Sequence, residues 1–100
     1  MFFFNRTNIN DAVEGWRTMA DAVLIDVREG DEFRAGHIPG AINVPLSGMD
    51  KISIPKDQQV FVYCLRGTRS SQAVRKMKKM GYTRVISIGG IMGYKGRIEK

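Results

Sequence analysis

The sequence predicts an α/β fold with a central, mostly parallel sheet of four to five strands and helices on both faces. Residues 22–27 show almost no alternation of apolar and polar positions, as expected of a strand covered on both faces, and the apolar run at residues 60–63 indicates a second buried strand. Segments with helical spacing of apolar residues lie between the strands. Because strands and helices alternate along the chain, crossover connections and a parallel sheet are expected.

The N-terminal third predicts one helix and one strand. Residues 2–4 are three phenylalanines that form either a short edge strand or a loose tail. A helix is expected up to about Met19, with Asn8 or Asn10 as its N-cap. Residues 22–27 follow as an apolar strand, interrupted only by an aspartate near its carboxyl end.

The middle of the chain predicts short elements separated by turns. A helical turn begins at residues 31–33, with Gly30 or Asp31 near its cap. A glycine-rich turn at residues 36–40 leads into a short strand at 41–44, which the following proline ends. The connector after it contains a short helix around residues 47–51.

The last part of the chain contains the clearest helix. It follows the strand at residues 60–63 and ends at Gly81, and its apolar positions share one face: Ala73, Val74, Met77 and Met80. The strand at residues 85–88 comes next. Residues 91–100 form a terminal turn or helix, in which two glycines disfavour the helix.

Length and composition predict one soluble domain, residues 1–100. A hundred residues supply one core, and no apolar run is long enough to cross a bilayer. A single cysteine excludes an internal disulfide and is typical of a reducing compartment, so we expect a cytoplasmic protein without a membrane partner.

The charge is divided unevenly along the chain. Residues 1–57 hold six basic and nine acidic side chains, whereas residues 58–100 hold ten basic side chains and one acidic one. The positive half contains the cysteine, so an anionic substrate would be attracted to it. Four of these cations fit the solvated face of the clearest helix (Arg75, Lys76, Lys78 and Lys79). No nucleic-acid partner is expected, because aromatic residues do not interleave with the charges.

Cys64 is the best candidate for a nucleophile. It follows an apolar strand and precedes a helix N-terminus, where unpaired amides and the helix dipole favour anions and lower the pKa of a thiol. Arg66 and Arg69 add positive charge beside it. Gly67 allows the backbone to turn its amides inward. Ser70 is the predicted N-cap of the helix, with Ser71 as the alternative.

Several segments together resemble one protein family. The loop at residues 64–70, CLRGTRS, is similar to the active-site loop of single-domain rhodaneses, which are sulfurtransferases. Residues 24–43 are similar to the first half of that family, and residues 89–94 to its C-terminal segment, although Tyr94 stands where tryptophan is more common. The resemblance extends over residues 8–97.

The resemblance implies a rhodanese-like three-layer fold and thiosulfate sulfurtransferase activity. Cys64 would carry the sulfur as a persulfide. The substrate-binding residues would be the rest of the loop: Leu65, Arg66, Gly67, Thr68, Arg69 and Ser70. The reaction needs no metal and no organic cofactor. The implied partners are a small anionic sulfur donor and a thiol or protein acceptor, with cyanide as the acceptor in vitro. The oligomeric state stays open.

Other side chains and other functions stay open from sequence. Asp26 is expected to pair with Arg28 or with nearby backbone rather than to act in catalysis, and Arg28 could still bind an anion. His37 lies in a structural turn, which disfavours a cysteine–histidine dyad.

Loop length favours sulfur transfer over phosphoryl transfer. Cys64 and Arg69 are separated by four residues, one fewer than in tyrosine phosphatases, and a smaller loop suits a single sulfur atom better than a phosphate. A phosphatase or arsenate reductase is the less favoured enzyme. The other alternative is a non-catalytic sulfur carrier or protein-interaction module.

Overall fold

The core of the protein is a four-stranded sheet. The computed structural model describes residues 8–100. Its strands are β1 (Val23–Asp26), β2 (Ile42–Asn43), β3 (Val60–Cys64) and β4 (Val85–Gly90). They lie in the order β2-β1-β3-β4, and every neighbouring pair is parallel. The predicted parallel sheet is thus confirmed with four strands. The possible fifth strand at residues 2–4 lies outside the described residues.

Strand β3 is one of the two interior strands, and Cys64 is its last residue, at the carboxyl edge of the sheet. It pairs with β1 on one side and β4 on the other, and all five of its residues are buried. The register places Asp26 beside Tyr63, and Cys64 beside Gly90. The carboxyl ends of three strands therefore meet at one edge, where ligands bind in parallel α/β sheets.

In the described part of the chain, three α-helices and two 3₁₀ helices connect and cover the strands. The α-helices are α1 (Ile9–Arg17), α2 (Gly30–Ala35) and α3 (Thr68–Lys79), and the 3₁₀ helices span Leu46–Lys51 and Ile91–Gly93. The second of these is all that residues 91–100 contain in helical form, as their glycines predict. Within residues 8–100, no helix is both long and apolar enough to span a bilayer.

Local hydrogen bonds decide where the helices begin and end. Asn8 caps α1, because its side chain accepts from the Asp11 amide at 3.1 Å. The other cap candidate, Asn10, binds the C-terminal segment instead. The cap of α2 is Glu29, directly before Gly30, which the sequence places near the cap, and it forms a capping box with Glu32.

Apolar side chains pack against both faces of the sheet. On one face, α1 contributes Ile9, Ala12 and Val13 to a buried cluster that includes Phe61 and Tyr63 of the central strand. On the other face, α3 and the first 3₁₀ helix contribute Ala73, Met77 and Met49 to a cluster with Val60 and Val62. Burial on both faces explains why β3 lacks polar alternation, and it confirms the three-layer prediction.

Candidate active site

The loop after β3 joins the strand to helix α3 with a tight backbone turn. Gly67 is the N-cap of α3 and has a φ of 109°, a left-handed conformation that favours glycine. The predicted cap at Ser70 is therefore wrong. Ser70 is the third residue of the helix, and its hydroxyl donates back to the Gly67 carbonyl at 3.0 Å. The glycine turn starts the helix earlier than side-chain capping would.

The loop directs backbone amides at the sulfur of Cys64. The amide of Gly67 donates to Sγ at 2.9 Å, and the amide of Ser70 donates to it at 3.3 Å. The Ser70 hydroxyl oxygen is 3.6 Å from the same sulfur. The inward-facing amides predicted for this loop are thus present at two positions. They form an anion-binding concavity of the kind found at helix N-termini.

The balance of burial and hydrogen bonding favours the thiolate. Burial of Cys64 raises the pKa of its thiol. The amide and hydroxyl of Ser70 and the amides of the turn lower that pKa, and their sum exceeds the effect of burial. The pKa of Cys64 is therefore below the ordinary cysteine value, as a nucleophilic thiol requires.

A small open cavity lies in front of the cysteine. Its volume is about 170 Å³, and it is lined by loop residues: Cys64, Leu65, Arg66, Thr68 and Arg69. The cysteine side chain is only 1% exposed, yet it forms part of this lining. The cavity is below the size of most organic-ligand pockets, which indicates a small substrate or the reactive end of a larger one.

The two arginines of the loop have different surroundings. Arg69 forms a bidentate ion pair with Glu32 of α2, at 2.7 and 3.0 Å. The pair lowers the pKa of Glu32 to about 2 and raises that of Arg69. Arg66 is exposed, and within residues 8–100 its side chain has no ion pair or hydrogen bond. Arg69 therefore connects two helices, whereas Arg66 is available to a ligand.

The cysteine loop packs closely against the C-terminal end of strand β4. The Met92 amide, just beyond β4, donates to the Leu65 carbonyl at 3.1 Å. A Cβ atom at Gly90 would collide with the Leu65 carbonyl and with the Cα of Arg66. Only glycine therefore allows the loop to pack this closely on the strand.

Asp26 and Arg28 form a buried structural pair, as the sequence predicts. The backbone amide, Nε and Nη2 of Arg28 all donate to the Asp26 carboxylate at 2.8–3.1 Å, and Nη2 also donates to the Gly36 carbonyl. Burial lowers the pKa of Arg28, but the Asp26 hydrogen bond and charge outweigh burial and raise it. Two of the three guanidinium nitrogens of Arg28, Nε and Nη2, are therefore used in contacts within the protein.

His37 has structural contacts away from the cysteine loop. Its ring stacks on Phe33, with 3.7 Å between centroids, and Nδ1 is 2.8 Å from the Phe33 carbonyl oxygen. Its backbone pairs with Glu99, and the Glu99 carboxylate is 3.6 Å from Nε2. These contacts agree with the structural turn that the sequence predicts at this position.

Two residues of the site were missed from sequence. Glu32 was assigned only to a helical turn, and its pairing with Arg69 spans 37 positions. Ser87 was placed in an apolar strand, and its hydroxyl oxygen is 2.8 Å from that of Ser70. The available signal for Ser87 was a lone polar residue within an otherwise apolar strand that is covered on both faces. The described residues include no group of three or more metal-ligand side chains.

The comparisons with known proteins agree with this geometry. A family model described as "Rhodanese-like domain" matches residues 10–97. The chain belongs to the rhodanese-like family. Its cysteine stands where the carboxyl ends of the strands meet, and family membership makes sulfurtransferase chemistry the first hypothesis for it.

Relatives of known name include small sulfurtransferases. The chain is 39% identical to a sulfurtransferase of Allochromatium vinosum, over 74% of this chain and 72% of that protein. It is also 39% identical to the thiosulfate sulfurtransferase PspE of Escherichia coli, over 67% of this chain and 68% of PspE. A solved structure described as a rhodanese with anions from E. coli matches with a TM-score of 0.71 and 34% identity, over 79% of this chain and 98% of that one.

Other relatives are much longer than the matched region. The chain spans 64%, 43% and 21% of the lengths of three curated relatives that it matches. Family membership therefore covers this domain and not the activities of those longer proteins.

Proposed function

We propose that this protein is a sulfurtransferase that moves a sulfane sulfur from thiosulfate, or a similar small anion, to a thiophilic acceptor through a persulfide on Cys64. The observation that carries the proposal is the pair of amide hydrogen bonds to Sγ, from Gly67 and Ser70. These donors stabilise a thiolate and stay in place when the sulfur becomes a persulfide. The names of PspE and of the E. coli rhodanese support an anionic sulfur donor.

The first turn of α3 has room for the second sulfur. The amides of Thr68 and Arg69 are the first two of the helix, so they have no acceptor within their own helix. Thr68 and Arg69 also line the cavity in front of Cys64. The outer, anionic sulfur of a persulfide would accept hydrogen bonds from these amides, as an oxyanion does at a helix N-terminus.

The proposed reaction has two displacement steps. The Cys64 thiolate attacks the outer sulfur of thiosulfate. A new S–S bond forms, the S–S bond of thiosulfate breaks, and sulfite leaves with the electron pair. The acceptor then attacks the outer sulfur of the persulfide and restores the thiolate. With cyanide as acceptor the product is thiocyanate. No net oxidation of the protein occurs and no cofactor is required.

Arg66 is the proposed contact for the donor anion. It lines the cavity, is exposed, and has no anionic partner within residues 8–100, whereas the charge of Arg69 is neutralised by Glu32. A guanidinium at the cavity entrance attracts the sulfonate-like end of thiosulfate and leaves the outer sulfur facing Cys64. The same pairing argues against phosphatase chemistry, because Arg69 is not free to bind a phosphate.

The physiological acceptor is proposed by class only. A lone free thiol stays reduced in the cytoplasm, where small thiols and protein thiols are available to take the sulfur. Both reach the persulfide through the open side of the cavity.

Steady-state transfer from thiosulfate to cyanide tests the proposal. Wild-type protein should form thiocyanate, and Cys64→Ser should form none above background. Arg66→Ala should raise the KM for thiosulfate about tenfold, because a charged hydrogen bond contributes on the order of 1.5 kcal/mol. Arg75→Ala, on the exposed face of α3, is the matched charge control and should leave KM unchanged.

Three other outcomes would change the conclusion. Thiocyanate formation that survives Cys64→Ser would remove the cysteine from the reaction. Hydrolysis of a phosphotyrosine analogue or reduction of arsenate, lost in Cys64→Ser, would replace sulfur transfer with those activities. Slow cyanide turnover together with fast delivery of sulfur to a protein thiol would instead indicate a sulfur carrier.

A further inference from the structure

The Ser70 hydroxyl has one proton and three polar neighbours. Its oxygen is 3.6 Å from Cys64 Sγ, 3.0 Å from the Gly67 carbonyl oxygen and 2.8 Å from the Ser87 hydroxyl oxygen. Ser70 is completely buried, so water does not compete for the proton. The neighbour that receives this proton determines whether the sulfur gains a third hydrogen bond.

Ser87 is a half-buried polar residue on the face of β4 that packs beneath α3. It lies in β4 beside Val62, on the same face as Val85, which packs in the cluster beneath α3. The alternate residues Ile86 and Ile88 belong to the opposite face. Within residues 8–100, the only hydrogen-bond partner of the Ser87 side chain is Ser70.

We propose that Ser87 is a positioning residue for Cys64: its hydroxyl donates to the Ser70 oxygen and thereby directs the Ser70 proton to the ionised sulfur. The proposal rests on the nucleophilic role proposed for Cys64. When Ser87 donates to it, Ser70 cannot donate back, so its proton goes either to the Gly67 carbonyl or to Sγ. A charged acceptor forms the stronger hydrogen bond, which favours the thiolate.

The hydrogen-bond chain changes direction with the charge of the sulfur. In the thiol state, S–H donates to the Ser70 oxygen and the Ser70 proton goes to the Gly67 carbonyl. Ionisation sends the thiol proton to solvent and leaves the sulfur as an acceptor. Ser70 then rotates to donate to the sulfur, and Ser87 donates to Ser70. Each hydrogen bond in such a chain polarises the next one.

The charged groups near the sulfur do not involve Ser87. The loop contributes Arg66 and Arg69, and α2 contributes Glu32, which pairs with Arg69. The end of β1 contributes the Asp26–Arg28 pair. Strand β4 carries no ionisable side chain. Substitution of Ser87 therefore changes the hydrogen-bond chain and leaves these charges in place.

The pH dependence of Cys64 alkylation by iodoacetamide tests the proposal. Ser87→Val and Ser87→Thr are the matched pair, because they have nearly the same shape and differ in the hydroxyl. Ser87→Val should move the midpoint of the pH–rate profile up by roughly half to one unit, which lowers the rate below the midpoint about three- to tenfold. Ser87→Thr should restore the wild-type midpoint, and the exposed Ser71→Ala should leave it unchanged.

A double-substitution cycle separates a hydrogen-bond relay from a packing effect. In a Ser70→Ala background, Ser87→Val should produce no further shift, because the relay is already broken. An equal shift in both backgrounds, or the same shift for Ser87→Thr and Ser87→Val, would overturn the proposal. Should Ser87→Val fail to fold, judged by urea unfolding, Ser87→Ala takes its place in the cycle.

The readout keeps this proposal apart from the proposed function. Alkylation requires only a thiolate and no sulfur donor. If Ser87→Val shows the predicted midpoint shift but the wild type forms no thiocyanate, the Ser87 relay stands and the sulfurtransferase proposal fails. If the wild type forms thiocyanate but Ser87→Val shows no midpoint shift, only the relay proposal fails.

Discussion

Asp26 and Cys64 lie near the carboxyl ends of neighbouring parallel strands, and the contrast between their surroundings separates a structural site from a reactive one. The Asp26 carboxylate is completely buried, and Arg28 donates to it from the backbone and from the guanidinium. The Cys64 sulfur is equally buried on the protein side, but its donors belong to a helix N-terminus and a cavity lies beside it.

The comparison shows that position at the sheet edge does not by itself make a reactive group. The charge of Asp26 is satisfied within the protein, by a side chain two residues away. The negative charge of the Cys64 thiolate is stabilised by backbone amides, which the fold fixes in place and which continue along the first turn of α3. Fixed donors beside open space are what a transferable sulfur requires.

The largest expected effect is the loss of folding stability when the buried Asp26–Arg28 pair is broken. Asp26→Asn leaves the buried Arg28 guanidinium without its counter-charge, and removal of one partner of a buried ion pair costs about 3–5 kcal/mol. Urea unfolding at pH 7 should show this loss, whereas Asp57→Asn, an exposed position, should cost less than about 0.5 kcal/mol. In the folded fraction, the alkylation midpoint of Cys64 should stay near that of the wild type. A shift as large as that of Ser70→Ala would contradict the separation of the two sites.

The second effect comes from a substitution that displaces the cysteine loop and leaves the Asp26–Arg28 pair intact. Gly90→Ala places a methyl group against the Leu65 carbonyl, so the loop must move. Its amides then no longer point at Sγ. A displacement of about 1 Å should lower the rate of thiocyanate formation roughly a hundredfold. Gly48→Ala is the control, because nothing lies within 4 Å of the added methyl group. Wild-type turnover in Gly90→Ala would mean that the loop does not depend on close packing against β4.

The smallest effect concerns the link between α2 and α3. The folded pKa of Glu32 is about 2, below its ordinary value of 4.5, because Arg69 and the Glu29 amide favour the charged form. The stabilisation is therefore complete above pH 4.5 and is lost as the pH falls toward 2. Since Glu32 is partly exposed, Glu32→Gln should cost about 1 kcal/mol at pH 7. The difference between the two proteins should shrink between pH 4.5 and pH 2. A difference at pH 2 as large as that at pH 7 would contradict this account.

Sequence predicted those features of the fold and site that depend on short-range patterns. The apolar run of β3, the amphipathic face of α3 and the strand–cysteine–glycine–helix order are all local, and each is observed. The pairing of Asp26 with Arg28 was also expected, because an isolated carboxylate in a buried strand needs a partner nearby. The N-caps of the helices did not follow from sequence alone, since two candidate residues stood at each N-terminus and the backbone conformation selects the cap.

The remaining features depend on distant segments or on the backbone. Gly67 caps α3 through its left-handed conformation, so the neighbouring serines gave a misleading capping signal. Glu32 and Arg69 meet because α2 and the start of α3 lie at the same edge of the sheet. Ser70 and Ser87 meet because α3 packs on β4, and the sequence shows only two separate serines. Such contacts become visible only once the order and register of the strands are known.

The most direct test of the central claim is intact-protein mass spectrometry after incubation with thiosulfate. The loop geometry predicts that the wild-type protein gains the mass of one sulfur atom, located at Cys64, and that cyanide removes it with the release of an equal amount of thiocyanate. Cys64→Ser should gain no mass. A wild-type protein that gains no sulfur, or a gain that persists in Cys64→Ser, would contradict the claim that the amides around Cys64 hold a transferable sulfur.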